Sequence, residues 1–505
     1  MALFCSLGAA VLILAAVGAI LGRGLFGAPP GEPGGGGIRA GGRDSAASAS
    51  GPAVPAPAVP VPAATSASAT SAGREPVDDP ANLSDHLGAR MHVVFSTDCG
   101  SFQHWQSYLL FYSALRVGQP GHVTRIASGC HPDEEERALA WFEEHVRPMA
   151  PGRFHLHLTP AFSGVKGEDG RETGKSYKYF NKPFGLRHWL EHAEGMGLDA
   201  DTGLPTDPDV VVALIDPDMI FLRRMTSDYG VDRETVLGFL PKKAAERGDR
   251  YLRVEPGKPI AATYGFGNQW RSKVDLALIP GVGSDSPALK GSDEFARQHF
   301  SVGPPYLAVA SDMHRIAVGW TEFVPHVHEQ YPKLLAEMFG FCISAAHNEL
   351  PHQRIDSFMV SDVTMAGGGE GWELIDAIPP EEVCGFASRP DHDRYALPNV
   401  VHYCQRYGIG PYWFSKRQVP HGIFTCESPL LAAPPANAAE RYDYRTSPHG
   451  ERQELEEGRR RSNEAFVACT MIAAINEASG YFKRHHCGKE ANWESSLYLG
   501  QGKVQ

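Results

Sequence analysis

Residues Val210–Leu222, VVVALIDPDMIFL, restrict the possible folds more than any other stretch. Val210 to Ile215 are apolar without a break and rich in β-branched side chains, and a second apolar run begins at Met219. So short an unbroken run reads as a strand buried on both faces, as in a parallel sheet covered by helices. Asp216-Pro217-Asp218 ends it. Two carboxylates beside a buried strand are costly unless their charge is compensated, and a divalent cation is the simplest compensation. With one stiff residue between them in extended geometry, Asp216 and Asp218 fall on the same side and can share a hard ion. Ligands of open α/β sheets bind beyond the carboxyl ends of the strands, where such an ion would meet a diphosphate. The plainer alternative is a turn, for which Asp-Pro-Asp is ordinary chemistry.

The chain before the head has a different character. Ala2–Leu21 contains no charge and is long enough to span a bilayer as a helix, longer than the usual apolar region of a cleaved signal. Residues 1–23 are therefore expected to be an uncleaved anchor. Arg23 follows the span and no Lys or Arg precedes it, so flanking charge does not set the orientation. Residues 24–80, with VPAPAVPVPAATSASATSA at their centre, cannot form a core and read as a disordered stalk. Asn82-Leu83-Ser84 matches a glycosylation acceptor. A net charge of −12 over 505 residues argues against nucleic acid and against a polybasic membrane surface. Eight cysteines follow the anchor, an even number that suits disulfides in an oxidising lumen, and no Cys-x-x-Cys pair suggests zinc.

The head opens with a strand expected over His92–Thr97, a helix over Trp105–Val117 and a strand over Val123–Ala127. This β-α-β order points to an open α/β sheet. Arg125 inside the second strand is either a site residue or an edge-strand charge reaching solvent. An acidic helix is expected over residues 132–146. Lys175–Leu190 interleaves Lys178, Lys182 and Arg187 with five aromatic residues. Rings suit a uracil or sugar and cations suit phosphates, although aromatic packing at a helix start with Pro183 in its first turn explains the same pattern. Gly303–Val309 leads to Asp312 and a helix ending at Trp320. Tyr331–Ala346 reads as a helix with Glu337 midway, where a solvent-facing Glu is the plain alternative. Val400-Val401-His402 is a short strand presenting a histidine, and imidazole is a good third ligand for Mn²⁺ beside carboxylates. Residues 431–505 read as a helical tail, with helices over Arg452–Arg461 and Asn463–Ala478.

Several segments together resemble the plant and green-algal hydroxyproline O-arabinosyltransferases and their relatives, the peptidyl-serine α-galactosyltransferases. They are HVVFSTDCGSFQHWQ (92–106), PGHVTRIASGC (120–130), FNKPFGLRHWL (180–190), ALIDPDMIF (213–221), LLAEMFGFCISA (334–345), VVHYCQRYGI (400–409) and FSKR (414–417). The resemblance implies an α/β head of GT-A type over residues 90–430 that uses a UDP-sugar with Mn²⁺ or Mg²⁺. It also implies a single-pass type II protein of the endoplasmic reticulum or Golgi, with a hydroxyproline- or serine-rich polypeptide as acceptor. Asp216, Asp218 and His402 are then the metal ligands, with Asp218 central to catalysis. Thr97, Arg125, Asn181, Lys182, Asp216 and Lys416 would bind the donor. Asp-Pro-Asp sits between the Glu-Pro-Asp of the arabinosyltransferases and the Asp-Ala-Asp of the galactosyltransferases, and the arabinosyl side is taken as the first expectation. Both relatives retain the donor's anomeric configuration, so retention is expected; inversion would need a base, for which Asp312 and Glu337 are the candidates. Two rivals remain. One is a metal-dependent carbohydrate-binding protein on the same scaffold. The other is a two-metal phosphodiesterase, which needs further His and Asp ligands than the chain groups in sequence.

Overall fold

A computed structural model describes residues 90–166, 172–229, 253–365, 369–390, 394–447, 449–456 and 458–499. The expected anchor (1–23), the stalk (24–80) and Asn82 lie outside the described residues.

The chain runs β1 (Met91–Thr97), α1 (Ser101–Val117), β2 (His122–Ser128), α2 (Pro132–His145) and β3 (Phe154–Thr159). It continues through α3 (Asn181–His192), β4 (Val211–Ile215), β5 (Met219–Phe221), β6 (Ile260–Thr263), β7 (Val302–Val309), α4 (Ala310–Gln330) and α5 (Ala336–His347). After these come β8 (Gln353–Ile355), β9 (Met359–Val360), β10 (Val400–His402), β11 (Arg406–Ile409), β12 (Tyr412–Ser415) and the long α6 (Arg459–His486). Seven strands form the central sheet in the order β8-β6-β7-β4-β1-β2-β3. β4 is buried along its whole length, as its apolar run requires. It pairs parallel with β1, Phe95 opposite Ile215. On its other side β7 runs antiparallel, Val211 opposite Val309. The sheet is therefore mixed, not all parallel, and the reversal at β7 decides which residues can reach the site. A small second sheet, β9-β10-β5, stands just past the carboxyl end of β4.

Apolar side chains of the central strands feed two clusters, one on each face. α3 and α4 cover one face. α1 and α6 cover the other. Gly121, at φ 73°, makes the turn into β2, where a Cβ would stand 1.9 Å from the Met91 carbonyl. Gly185 lets α3 settle on β2, where a Cβ would already touch Ile126 and Ser128 at 3.1 and 3.2 Å. That close approach lowers the start of α3 towards the strand ends.

Two local expectations fail. Arg452–Glu454 is not helical but pairs as a strand with Tyr444–Thr446, and a single 28-residue helix follows in place of a separate amphipathic one. Nor is that helix an appended tail. Phe466, Val467, Met471 and Ile475 are buried in the same cluster as Phe95 and Phe111. Disulfides Cys384–Cys469 and Cys426–Cys487 both end on or just past it, and Cys99–Cys130 joins the ends of β1 and β2. Cys342 and Cys404 stand outside the three bridges. Among the described residues α6 alone is long and apolar enough to cross a membrane, and most of it is buried inside the head.

Candidate active site

Beyond Ile215 the chain turns through Asp216-Pro217-Asp218 and re-enters as β5. β10 pairs antiparallel with β5, His402 opposite Met219, and the Tyr403 N–H donates to the Asp218 carbonyl at 3.0 Å. This register delivers the imidazole to the carboxylates. His402 Nε2 lies 3.4 Å from Asp218 Oδ1 and 3.9 Å from Asp216 Oδ2. One donor atom from each of the three residues falls within 4.8 Å of the others.

Two ammonium groups enclose the carboxylates. Lys182, in the first turn of α3, reaches Asp216 Oδ1 at 2.7 Å and Glu337 Oε1 at 3.2 Å. Lys416, directly after β12, donates to Asp218 Oδ2. Asp218 is fully buried and Lys416 nearly so. Burial alone would raise the Asp218 carboxyl, but Lys416 and His402 outweigh it and hold the group far below the usual carboxylate range. Burial opposes the Lys182 charge, and Asp216 with Glu337 reverses this and raises it. Burial would also lower His402, whereas Cys404 and the two carboxylates push it up to about 9. A proton and a divalent cation thus compete for the same nitrogen.

Glu337 overturns the solvent-facing alternative. It sits in the first turn of α5, 3% exposed, and faces Lys182. Its backbone is gripped at both ends: Tyr177 Oη accepts from its N–H at 3.2 Å, and its carbonyl accepts from Trp320 Nε1 at 2.8 Å. Burial raises its carboxyl to about 7 despite Lys182.

Asp312, the other candidate base, lies away from these carboxylates. Because β7 runs antiparallel, its carboxyl end lies at the amino end of β4, where the Ala310 and Ser311 N–H groups bond the Val210 and Pro208 carbonyls. Asp312, at that far end of the sheet, accepts from Gly257 N–H at 2.6 Å and pairs with Arg315 at 3.3 Å.

Arg125 and Thr97 stand together at the near end. The edge-strand alternative for Arg125 fails because β2 lies between β1 and β3. Its buried guanidinium donates to Thr97 Oγ1 at 2.9 Å and to the Asp98 carbonyl at 3.0 Å, with His104 Nδ1 at 3.3 Å. Burial lowers it to about 10. From the pairing of Phe95 with Ile215, Thr97 falls level with the Asp216–Asp218 turn. Asn181 points its oxygen at the Phe162 N–H, 3.2 Å away, and so steadies the loop after β3 beside Lys182.

Sequence reasoning missed the supports of His402. The single Tyr407 O–H is shared between two carbonyls, Ser361 at 2.9 Å and His402 at 3.2 Å, which ties β9 to β10. Glu370 accepts from Ser361 N and Oγ at 2.6 and 2.7 Å, fixing the same loop. Tyr407 belongs to the VVHYCQRYGI segment but nothing there marks it as a support, and Glu370 lies in no such segment; only the fold brings them to one loop.

The residues suit a hard divalent cation. Asp218 Oδ1 is buried and receives no hydrogen bond among the described residues, and two carboxylates with one imidazole form a common oxygen–nitrogen ligand set. With His402 neutral, Asp216, Asp218 and Glu337 balance Lys182 and Lys416 to within one charge, according to whether Glu337 holds its proton. A divalent ion makes the pocket net positive and able to receive an anionic diphosphate.

No protein-family model matches the chain. It is similar in sequence to two curated proteins, both named peptidyl serine alpha-galactosyltransferase. That of Arabidopsis thaliana is 25% identical over 288 residues, 55% of this chain and 29% of the relative. That of Chlamydomonas reinhardtii is 23% identical over 343 residues, 65% of this chain and 36% of the relative. The chain thus spans about a third of the length of the curated relatives it matches. Among solved structures, the galactosyltransferase LgtC in complex with donor and acceptor sugar analogues covers 66% of this chain and 93% of its own, at 11% identity and a TM-score of 0.30. The glycosyltransferase GlyE of Streptococcus pneumoniae covers 62% and 54%, at 10% identity and a TM-score of 0.26.

Proposed function

We propose that this chain is a metal-dependent glycosyltransferase that moves a sugar from a UDP-sugar to a hydroxyl of a polypeptide, through a head of GT-A type. The observation that carries the reading is the convergence of Asp216, Asp218 and His402 at the carboxyl end of β4, all three donor atoms within 4.8 Å. Peptidyl-serine galactosyl transfer is favoured over hydroxyproline arabinosyl transfer, since both curated relatives carry the serine name.

Asp216, Asp218 and His402 would hold Mn²⁺ or Mg²⁺, which supplies positive charge to the departing diphosphate. Lys416 fixes the Asp218 carboxylate in place. Lys182, held between Asp216 and Glu337, is placed to follow the phosphate oxygens as their charge grows. Arg125, fastened to Thr97, adds a permanent cation at the neighbouring strand ends. Retention is the stereochemistry that suits this set. The acceptor approaches the face the diphosphate leaves, a leaving oxygen can take its proton, and the side chains position and neutralise. Glu337 orients a hydroxyl or Lys182 without having to be the proton acceptor.

The uncharged Ala2–Leu21 span and the stalk after it support a type II anchor with the head in the lumen of the endoplasmic reticulum or Golgi. Protease protection in sealed microsomes tests that topology, and digestion of the head by external protease contradicts it.

The test of function is UDP release from a panel of UDP-sugars with a serine-containing peptide, with and without Mn²⁺. Metal-dependent release from UDP-galactose with a mass gain on the peptide supports the proposal. Sugar binding without turnover identifies the carbohydrate-binding rival. The anomeric proton signal of the product reads retention directly.

A further inference from the structure

A second cluster of potential ligands lies away from the carboxylates, along the free edge of the sheet. On β3, His155 and His157 alternate with Leu156 and Leu158, so both imidazoles stand on one face. α3 packs against that face and carries His188 and His192 one helical turn apart, on one side. His157 Nε2 lies 2.9 Å from His188 Nδ1. The ring centroids of His188 and His192 are 4.6 Å apart.

Two imidazole nitrogens on one ion, each at about 2.0–2.1 Å, stand roughly 3 Å apart, which is the separation His157 and His188 already show. Both rings are held neutral, and moving the one proton of their N–H···N contact to a ring's other nitrogen frees both facing lone pairs. Burial, then His188 and His192, lowers His157 to about 4, and burial with His192 lowers His188. The nearest carboxylate on the helix, Glu191, is engaged by Arg187 at 2.8 Å and His314 at 3.1 Å. The donor set is therefore all nitrogen, which selects Zn²⁺, Ni²⁺ or Cu²⁺ over Mn²⁺ or Mg²⁺. His192 is exposed and gives an ion its way in.

We infer that His157, His188 and His192 form a second metal site, taking Zn²⁺ or a similar borderline ion in a three-nitrogen set completed by water. The three nitrogens converge less tightly than the donors of Asp216, Asp218 and His402, so completing the set requires the exposed His192 ring to turn about its own side-chain bonds. An ion here ties α3 to the edge strand, and α3 carries Asn181 and Lys182 in its first turn.

The experiment uses the full chain, stripped with chelator and titrated with Zn²⁺ against a chromogenic chelator in excess Mg²⁺, with thermal unfolding read in parallel. One Zn²⁺ equivalent should bind and raise Tm, since an ion that binds the folded state alone stabilises it. His192→Ala changes an exposed side chain and should fold unaided; it should weaken Zn²⁺ roughly tenfold or more. The His188→Ala/His192→Ala pair should abolish both the binding and the Tm rise, while UDP binding with Mn²⁺ is kept. Asp218→Asn should leave the Zn²⁺ titration unchanged, which separates this site from the carboxylate one. Equal Zn²⁺ affinity in His192→Ala and wild type overturns the inference, as does a wild-type chain that shows no Zn²⁺-dependent rise in Tm; His157 and His188 then share only an N–H···N bond.

Discussion

At the carboxyl end of β4, Asp216, Asp218 and Glu337 share two ammoniums and a histidine drawn from five separate parts of the chain. At the amino end, Asp312 is as buried as Glu337, yet it is satisfied by one backbone N–H and a neighbour on its own helix. Burial alone does not distinguish the two ends. Convergence does: at the near end, groups brought by different elements face one another and leave Asp218 Oδ1 without a hydrogen bond among the described residues. A local arrangement that closes on itself supports the fold, and one that leaves a charged atom available supports chemistry.

The comparison is sharpest at Asp218. Asp218→Asn removes a hard ligand, and transfer should fall roughly a thousandfold or more. It also leaves the Lys416 ammonium buried without its carboxylate, at a cost of about 3 kcal/mol in stability. An Asp218→Asn/Lys416→Met double variant should recover stability in urea titration but no activity. Recovery of transfer in that variant would remove the metal assignment. His402→Ala should cost less, about tenfold to a hundredfold in kcat, because water can refill one coordination position. Added imidazole should return part of that activity.

Glu337→Gln comes next. Under retention it should keep measurable transfer, whereas an obligatory base would cost about 10²–10⁴ in kcat. Its stability has a definite pH signature. Burial raises the folded-state carboxyl from 4.5 to about 7, so its protonated form is the favoured one in the fold. The stability it confers is fully present below pH 4.5 and is lost as pH rises through 7. The Gln variant should flatten that slope between pH 4.5 and 7, and an unchanged slope in urea titrations would contradict the buried assignment. The smallest effect belongs to Asp312→Asn. It should cost about 1–2 kcal/mol through the weakened Gly257 and Arg315 contacts, with transfer within a few-fold of wild type.

Much of the near end is legible in the chain itself. The unbroken run before Asp216 reads as a buried strand, and its end is where an α/β sheet gathers ligands. His402 is legible for the same reason, as the last residue of a short β-branched strand. What hides the rest is long-range direction. Nothing around Gly303–Val309 signals that β7 runs antiparallel, and that single reversal carries Asp312 to the wrong end. Glu337 sits in a helix whose partner Tyr177 lies 160 residues away in sequence, on the Lys175–Leu190 stretch, so its burial is invisible locally. The three arginines that open α6 belong to a stretch that reads as a separate charged helix, although the turns after them are core. A search for zinc through Cys-x-x-Cys also passes over His157, His188 and His192, which only the packing of α3 on β3 brings together.

The most direct test is calorimetric titration of UDP, in the presence of Mn²⁺, into wild type, Asp312→Asn and the Asp218→Asn/Lys416→Met variant. The account predicts one site of matching affinity in the first two and no Mn²⁺-dependent binding in the third. Undiminished binding by the third, or its loss in Asp312→Asn, would contradict it and move the metal site away from the carboxyl end of β4.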